Sequence, residues 1–107
     1  QKLGECPEVS EEMLEAYAVL TAMGPTYFEF QLYELYKIAV SFGLREQEAE
    51  EGIEKMLAGT VELMFRSGLD PEEVMDLIPV KPLKEVEEQI RNAYRDKLGS
   101  LYRKMKS

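Results

Sequence analysis

The apolar side chains between Pro25 and Phe42 cover nearly the whole circumference of a predicted helix. Eleven of these eighteen residues are apolar or aromatic: Tyr27, Phe28, Phe30, Leu32, Tyr33, Leu35, Tyr36, Ile38, Ala39, Val40 and Phe42. A helix that is apolar nearly all round is either buried on every side or spans a membrane. The charges of Glu29, Glu34 and Lys37 argue against a membrane. The pattern therefore predicts a buried central helix.

Four further helices are predicted around it, with no strand signal. The first runs from Ser10 to about Met23, the third from about Arg45 to Ser67, the fourth from Asp70 to before Pro79, and the fifth from about Leu83 to Met105. The first has one apolar side: Met13, Leu14, Tyr17, Ala18, Leu20 and Thr21. These spacings of three and four residues are typical of amphipathic helices. We predict an all-α fold of about five helices.

Glycine, proline and acidic residues mark the helix ends. Gly43 and Gly68 can take the left-handed conformation that ends a helix. Asp70 followed by Pro71, with Glu73 three residues after Asp70, predicts a capping box at the start of the fourth helix.

The remaining chain, about ninety residues of amphipathic helix, can cover the central helix only in part. We therefore expect a second copy of the chain to supply the rest, with an interface formed by Phe28, Phe30, Leu32, Leu35, Tyr36 and Phe42. Gly52 and Gly59 lie seven residues apart on one side of the third helix. They indicate either a close helix crossing or two tolerated defects, each costing about 1 kcal/mol relative to alanine.

The charge of the chain argues against one class of function, the binding of nucleic acid. The net charge of −8 divides into −9 over residues 1 to 54, −3 over residues 55 to 80 and +4 over residues 81 to 107. An acidic protein is a poor binder of nucleic acid, which requires a basic surface. The basic residues of the tail alternate with acids such as Glu87 and Asp96, so we interpret them as a solvated helix side.

The chain has one cysteine, Cys6, and no histidine. A lone thiol cannot form an intrachain disulfide, which fits a reducing compartment, and no leader or spanning segment is evident. We expect a cytosolic protein. A metal site would have to rest on carboxylates: Glu46, Glu48, Glu50, Glu51, Glu54 and Glu62. Di-metal helix bundles use Glu-x-x-His pairs, so we interpret these carboxylates as a solvated acidic side and predict no metal.

Residues 20 to 77 resemble the carboxy-terminal dimerisation domain of pyrroline-5-carboxylate reductases, which reduce a cyclic imine to proline. That domain has Gly-Pro-Ala-Tyr before a long apolar helix that ends in Gly-Leu. Here Gly24-Pro25-Thr26-Tyr27 and Gly43-Leu44 stand at the same spacing, and Ala49, Gly59, Ser67-Gly68, Pro71 and Val74 continue the series without a gap. The resemblance implies an intertwined homodimer with the helical fold of the carboxy-terminal domain of 6-phosphogluconate dehydrogenase.

The chain also departs from the family. Thr21-Ala22-Met23 replaces Ser-Gly-Ser, and Tyr33 and Lys37 stand at acidic positions of the long helix. The Ser-Pro-Gly-Gly-Thr-Thr segment that helps to bind the imino acid carboxylate reads Val80-Lys81-Pro82-Leu83-Lys84-Glu85 here. Glycine lets backbone N–H groups approach an anion and threonine adds hydroxyl donors, whereas proline removes a donor. The resemblance therefore implies a lost substrate segment, and only Thr21, Gly24 and Tyr27 carry over as substrate neighbours.

The family's nicotinamide cofactor binds in an amino-terminal Rossmann domain marked by G-x-G-x-x-G. That motif is absent, and Gln1 falls where the family passes into the helical domain. We interpret residues 1 to 107 as one helical dimerisation domain, a carboxy-terminal fragment that holds no cofactor, whose parent would use NAD(P)H on a small imino or amino acid-like substrate. The alternative is a noncatalytic helical homodimerisation or interaction module.

Overall fold

The computed structural model describes residues 10 to 107, and every regular element in that range is helical. The α-helices are α1 (Leu14–Tyr17), α2 (Gly24–Ser41), α3 (Glu46–Arg66), α4 (Pro71–Met75) and α5 (Glu87–Lys106). The 3₁₀ turns Glu11–Met13 and Lys84–Val86 precede α1 and α5, and a π-helical turn, Ala18–Ala22, follows α1. The predicted all-α class is confirmed. Cys6 lies outside the described residues.

The first predicted helix is broken into a 3₁₀ turn, one turn of α-helix and one turn of π-helix. The N–H of Met23 donates to the carbonyl of Ala18 at 3.1 Å, which is the five-residue spacing of a π-helix. Within this turn Val19 is buried at 8% exposure while Leu20 is exposed. The predicted apolar side, which included Leu20 and omitted Val19, was wrong at this point. Ser10 precedes the first turn without a side-chain capping bond.

The central helix α2 begins and ends one residue earlier than predicted. Its carboxyl end is a Schellman motif: the N–H of Leu44 donates to the carbonyl of Ala39 at 3.2 Å, and that of Gly43 to Val40 at 3.0 Å. Gly43 has φ 113°, in the left-handed region that favours glycine. The predicted glycine stop is therefore confirmed.

In the first turns of α3 and α4 a glutamate accepts a hydrogen bond from the backbone of the N-cap residue. The Oε1 of Glu48 accepts the N–H of Arg45 at 2.8 Å, which fixes the first turn of α3. The Oε1 of Glu73 accepts the N–H of Asp70 at 2.9 Å, with Pro71 as the first residue of α4, as the sequence predicted. Gly68 has φ 84° between the two helices.

The chain divides into two compact units. The first unit contains the described residues up to Tyr27 together with Glu85–Ser107, and the second unit is Phe28–Lys84. In the first unit, α5 packs along α1 and the π-helical turn. Its carboxyl half is partly covered there, through Leu98, Leu101, Tyr102 and Met105. In the second unit, α3 contacts α4.

Very little of the described chain is buried. Val19 and Ala49, at 8% and 1% exposure, are the buried apolar residues among those described. Large apolar side chains remain exposed along both units, and Phe65 is 73% accessible. Because burial of apolar surface is the main favourable term in folding, a chain with so small a core depends on further contacts for its stability.

Candidate functional site

The three residues carried over as substrate neighbours lie around the junction between the π-helical turn and α2. The Oγ1 of Thr21 donates to the carbonyl of Tyr17 at 2.7 Å, one turn earlier in the helix. Gly24 begins α2, and none of the described residues beyond its chain neighbours and the helix backbone lies within 4 Å of the position that a Cβ would take. The described residues therefore leave space for a small ligand beside the backbone at Gly24.

Tyr27 is part of the packing of the first unit. Its hydroxyl donates to the carbonyl of Val19, and its ring contacts that of Tyr94 in a tilted arrangement, with 6.0 Å between the ring centroids. Tyr94 of α5 is a partner that the sequence analysis did not assign to this junction. The hydroxyl of Tyr27 thus holds the π-helical turn against the start of α2, which is a structural role.

The residues predicted to form an interface are distributed around α2 and are poorly covered. Phe30 and Phe42 are 69% and 83% exposed, and Phe28 and Leu35 are also exposed. Leu32 and Tyr36 are half-buried. All but Phe42, which directly follows the helix, belong to the 18 residues of α2, about 27 Å long at 1.5 Å per residue. They form a large apolar surface.

In the second unit, α2 and α3 do not pack directly against each other. No α-carbon of α2 in this unit lies within 8 Å of one in α3. Helices in contact have axes about 8–10 Å apart, with the α-carbons about 2.3 Å from each axis, so a packed pair would come closer than this. Ala49, near the start of α3, is buried, so this part of the second unit packs most closely where α2 leads into α3.

Two apolar recesses lie along the space between α2 and α3. One of about 340 Å³ is lined by Leu35, Ile38, Ala39, Phe42, Leu44, Glu48, Ala49, Gly52, Ile53 and Met56. The other, of about 460 Å³, is lined by Leu32, Tyr36, Glu50, Ile53, Glu54 and Leu57. Among the described residues, and apart from the backbone of α3 itself, nothing lies within 4 Å of a Cβ placed on Gly52 or Gly59. Of the two interpretations of these glycines, a close helix crossing on that side of α3 is therefore not formed within the described residues.

A small polar cluster lies on α2 beside the larger recess. The rings of Tyr33 and Tyr36 stack with centroids 6.3 Å apart, and the ammonium group of Lys37 lies 4.8 Å from the centroid of Tyr33. Desolvation raises the pKa of Tyr36, and the negative charges of Glu46 and Glu50 raise it further. The phenol of Tyr36 stays neutral, so its hydroxyl can donate a hydrogen bond.

Residues 80 to 85 form no glycine-rich anion cradle. The ammonium group of Lys81 donates to the carbonyl of Met75, the last residue of α4, and the N–H of Lys84 donates to the carbonyl of Lys81 at 3.0 Å. Lys81 also lines a recess of about 210 Å³ between α3 and α4, with Thr60, Leu63, Met64, Val74, Met75, Leu77 and Ile78. The side chain of Lys81 thus caps the carboxyl end of α4.

The described residues do not fit a nicotinamide cofactor or a metal centre. A dinucleotide is held where a glycine-rich loop joins a strand to a helix, and residues 10 to 107 contain no strand. In the same range no group of three or more acidic, histidine or cysteine side chains is placed to hold a metal ion. No helix of the described chain is long and apolar enough to cross a membrane.

Comparison with known proteins places these features in context. The profile of a family described as pyrroline-5-carboxylate reductase dimerisation matches residues 11–81. That range covers the helical turns from Glu11 to Ala22 and the helices α2, α3 and α4, and it ends at residue 81. No solved structure gives a significant match.

Three curated relatives illustrate the similarity, and each is named pyrroline-5-carboxylate reductase. The protein of Staphylococcus haemolyticus is 30% identical over 79 residues, 73% of this chain and 29% of the relative. Those of Staphylococcus aureus strain COL and Staphylococcus epidermidis strain RP62A are 33% and 34% identical over 67 residues, 62% of this chain and 24% of each relative. The matched part of the chain thus spans 24% to 29% of the length of these relatives.

Proposed function

The chain belongs to the pyrroline-5-carboxylate reductase dimerisation family, and from that membership we propose that it is the dimerisation and substrate-side domain of a reductase-like, NAD(P)-dependent oxidoreductase. In this proposal two copies pair through α2. The parent protein would carry the nicotinamide cofactor on another domain and act on a small imino or amino acid-like substrate. A cytosolic location belongs to the same proposal, supported by the lone cysteine.

The observation that carries the dimer is the exposed apolar surface of α2. Phe30 and Leu35 are exposed on α2 and Phe42 is exposed directly after it, and no α-carbon of α3 lies within 8 Å of α2 in the second unit. An obligate interface of core-like composition buries about 2,000 to 5,000 Å², and pairing about a two-fold axis is the commonest way to form one. A second copy would place its own apolar helix against this surface.

Sedimentation velocity across a wide dilution range tests the dimer. The chain should sediment as a dimer from high to low micromolar concentration, and dissociation should be accompanied by loss of helical circular dichroism. A folded monomer that unfolds cooperatively at micromolar concentration would refute the proposal, because the helices of one chain would then suffice to cover α2.

The proposed enzyme departs from its relatives in the substrate segment. Residues 80 to 85 lack the glycines and threonines of the family's Ser-Pro-Gly-Gly-Thr-Thr, and Lys81 is bonded to the end of α4. The glycine N–H groups and threonine hydroxyls that would bind a substrate anion are therefore missing from residues 80 to 85. We therefore infer that the parent has either an altered substrate or no catalytic activity.

A graft tests this inference in the full-length parent. Replacement of residues 80 to 85 by Ser-Pro-Gly-Gly-Thr-Thr should raise the rate of pyrroline-5-carboxylate reduction more than any substitution on the acidic side of α3. The matched control is Glu51→Gln with Glu62→Gln in the same parent. Reduction of that imine at an ordinary enzymatic rate by the unaltered parent would contradict the inference.

The alternative candidate is a noncatalytic helical homodimerisation or interaction module. It shares the dimer with the first proposal and differs in having no cofactor-binding partner domain. A gene that encodes a G-x-G-x-x-G domain directly upstream favours the oxidoreductase. In either case the isolated chain should show no binding of NADPH at micromolar concentration by calorimetry, because the helical residues described form no phosphate-binding loop.

A further inference from the structure

The recess of about 210 Å³ between α3 and α4 combines an apolar lining with one charged side chain. Among the described residues that line it, Lys81 is charged, Thr60 is polar and the others are apolar. The hydroxyl of Thr60 donates to the carbonyl of Met56 at 2.8 Å, so its proton is already engaged. Lys81 therefore supplies the side-chain hydrogen-bond donors that this recess can offer to a ligand.

Lys81 is placed differently from the other basic residues of the described chain. Every other lysine and arginine between residues 10 and 107 is exposed, whereas Lys81 is half-buried. Its ammonium group donates to the carbonyl of Met75 and forms no ion pair with a carboxylate of the described residues. An ammonium group has three N–H donors, so two of them remain for another acceptor. Because burial of a charge without a counter-charge is costly, this arrangement indicates an anionic ligand.

The volume of the recess limits the ligand to a small molecule. An apolar cavity of about 150 Å³ holds one benzene molecule, whereas pockets for drug-sized ligands begin at about 300 Å³. The recess, at about 210 Å³, therefore fits about eight non-hydrogen atoms. Met64 and Val74 of its lining are half-buried, and Leu77 and Ile78 are exposed. These side chains suit an aliphatic body that enters from the solvent.

We propose that the recess between α3 and α4 binds a small aliphatic monocarboxylate, with the carboxylate on the ammonium group of Lys81 and the hydrocarbon body against Met64 and Val74. The carboxylate accepts charge-assisted hydrogen bonds, which are stronger than those between neutral groups. The hydrocarbon body removes apolar surface of the recess from water, which favours binding.

The ligand of this recess has no amino group. An α-ammonium group would lie close to the ammonium group of Lys81, and like charges repel strongly in a partly buried site. The proposed ligand therefore differs in class from the imino or amino acid-like substrate of the parent. The inference depends neither on that substrate nor on the dimer.

An NMR titration of the unaltered chain with sodium 4-methylpentanoate tests the site. This branched acid has the size that the recess admits. The methyl signals of Met64, Val74 and Met75 should shift and saturate together, because these side chains line the recess. The methyl signal of Met13, in the first unit, should not move and serves as the internal control.

Two related compounds separate charge from shape. The alcohol 4-methylpentan-1-ol keeps the hydrocarbon body and lacks the charge, and leucine is the same acid with an α-amino group. Each should bind at least about tenfold more weakly than 4-methylpentanoate, since a hydrogen bond to a charged group is lost in the first case and a like charge is added in the second.

Substitutions of Lys81 test the same point from the side of the protein. Lys81→Met should weaken binding of the acid at least about tenfold and leave binding of the alcohol unchanged. Lys81→Arg keeps the charge and should retain the preference for the acid. Lys84→Met is the matched control, because it removes the same charge from the same connector outside the lining of the recess. It should bind the acid as the unaltered chain does.

Three results would overturn the inference. The first is the absence of a saturable shift at the methyl groups of the recess. The second is equal binding of the acid and the alcohol by the unaltered chain, and this comparison decides the matter if Lys81→Met fails to fold. The third is binding of leucine or proline as tightly as the acid, which would assign the recess to an amino acid. None of them bears on the dimer or on the reductase-like parent, which sedimentation and the graft test separately.

Discussion

At the scale of single residues, Gly43 ends α2 in a conformation that other residues adopt at a cost. Its φ of 113° would strain a side chain, and apart from its chain neighbours none of the described residues lies within 4 Å of the position that a Cβ would take. Gly43→Ala should therefore lower the free energy of unfolding by about 1–2 kcal/mol. Gly43→Asn should cost less, since asparagine tolerates the left-handed region better. Urea unfolding compares the two, and equal losses would contradict a conformational origin.

Glu48 gives the start of α3 a defined dependence on pH. Its Oε2 accepts the guanidinium of Arg45 at 3.1 Å and its Oε1 accepts the Arg45 N–H, and these bonds lower the pKa of Glu48 in that order of importance. A pKa lowered by folding stabilises the chain above the unfolded value. That contribution is lost as the pH falls through the folded value.

Glu48→Gln should therefore destabilise the chain at neutral pH and have little effect in acid, below the folded pKa. Unfolding by urea over a series of pH values from neutral into acid measures how the difference between the two chains disappears. A carboxyl NMR titration checks the cause, because Arg45→Ala should raise the pKa of Glu48 toward its ordinary value. An unchanged pKa in that variant would contradict the role of the guanidinium.

At the scale of secondary structure, the sequence was most informative where a side chain or glycine fixes a helix end. Gly43, Gly68 and Asp70 were assigned correctly because left-handed φ and capping bonds depend on residue type at one position. The π-helical turn before Met23 was missed. It arises from one wider turn of backbone hydrogen bonds, which requires no particular residue, and so the buried position moved to Val19 without a signal in the apolar spacing.

The π-helical turn and α2 are joined by the hydroxyl of Tyr27. Tyr27→Phe keeps the ring beside Tyr94 and removes the hydrogen bond to the Val19 carbonyl, so it should cost about 0.5–1.5 kcal/mol of unfolding free energy. Tyr33→Phe, on an exposed ring, is the control and should change stability by less than about 0.5 kcal/mol. In the parent protein, a raised KM with unchanged stability would instead support Tyr27 as a substrate neighbour.

At the scale of the whole molecule, the apolar circumference of α2 could be predicted from sequence, but its surroundings could not. The spacing of residues along one chain shows how much surface a helix must bury. It does not show the distance between α2 and α3, which depends on the angle set by Gly43 and Leu44. The carried-over residues Thr21 and Gly24 likewise lie at a backbone junction, and the spacing of residues in one chain does not show which other groups would complete a ligand site there.

The small core of the described residues predicts that the stability of the chain depends on the proposed dimer. If two copies fold only together, the midpoint of thermal unfolding must rise with protein concentration, because dissociation is part of unfolding. Circular dichroism melts over a hundredfold range of concentration should show this rise. Phe30→Glu should abolish it, since a charge without a partner would be buried in the interface, at a cost of several kcal/mol.

Glu29→Gln is the matched control, because it alters an exposed neighbour on the same helix and buries no charge. It should keep the concentration dependence of the unaltered chain. A charge at Phe42, the most exposed of the predicted interface residues, should likewise abolish the concentration dependence of the midpoint. A charge at Tyr36 should have a similar effect. A midpoint independent of concentration, together with an intact helical spectrum in Phe30→Glu, would mean that a single chain buries α2 without a partner.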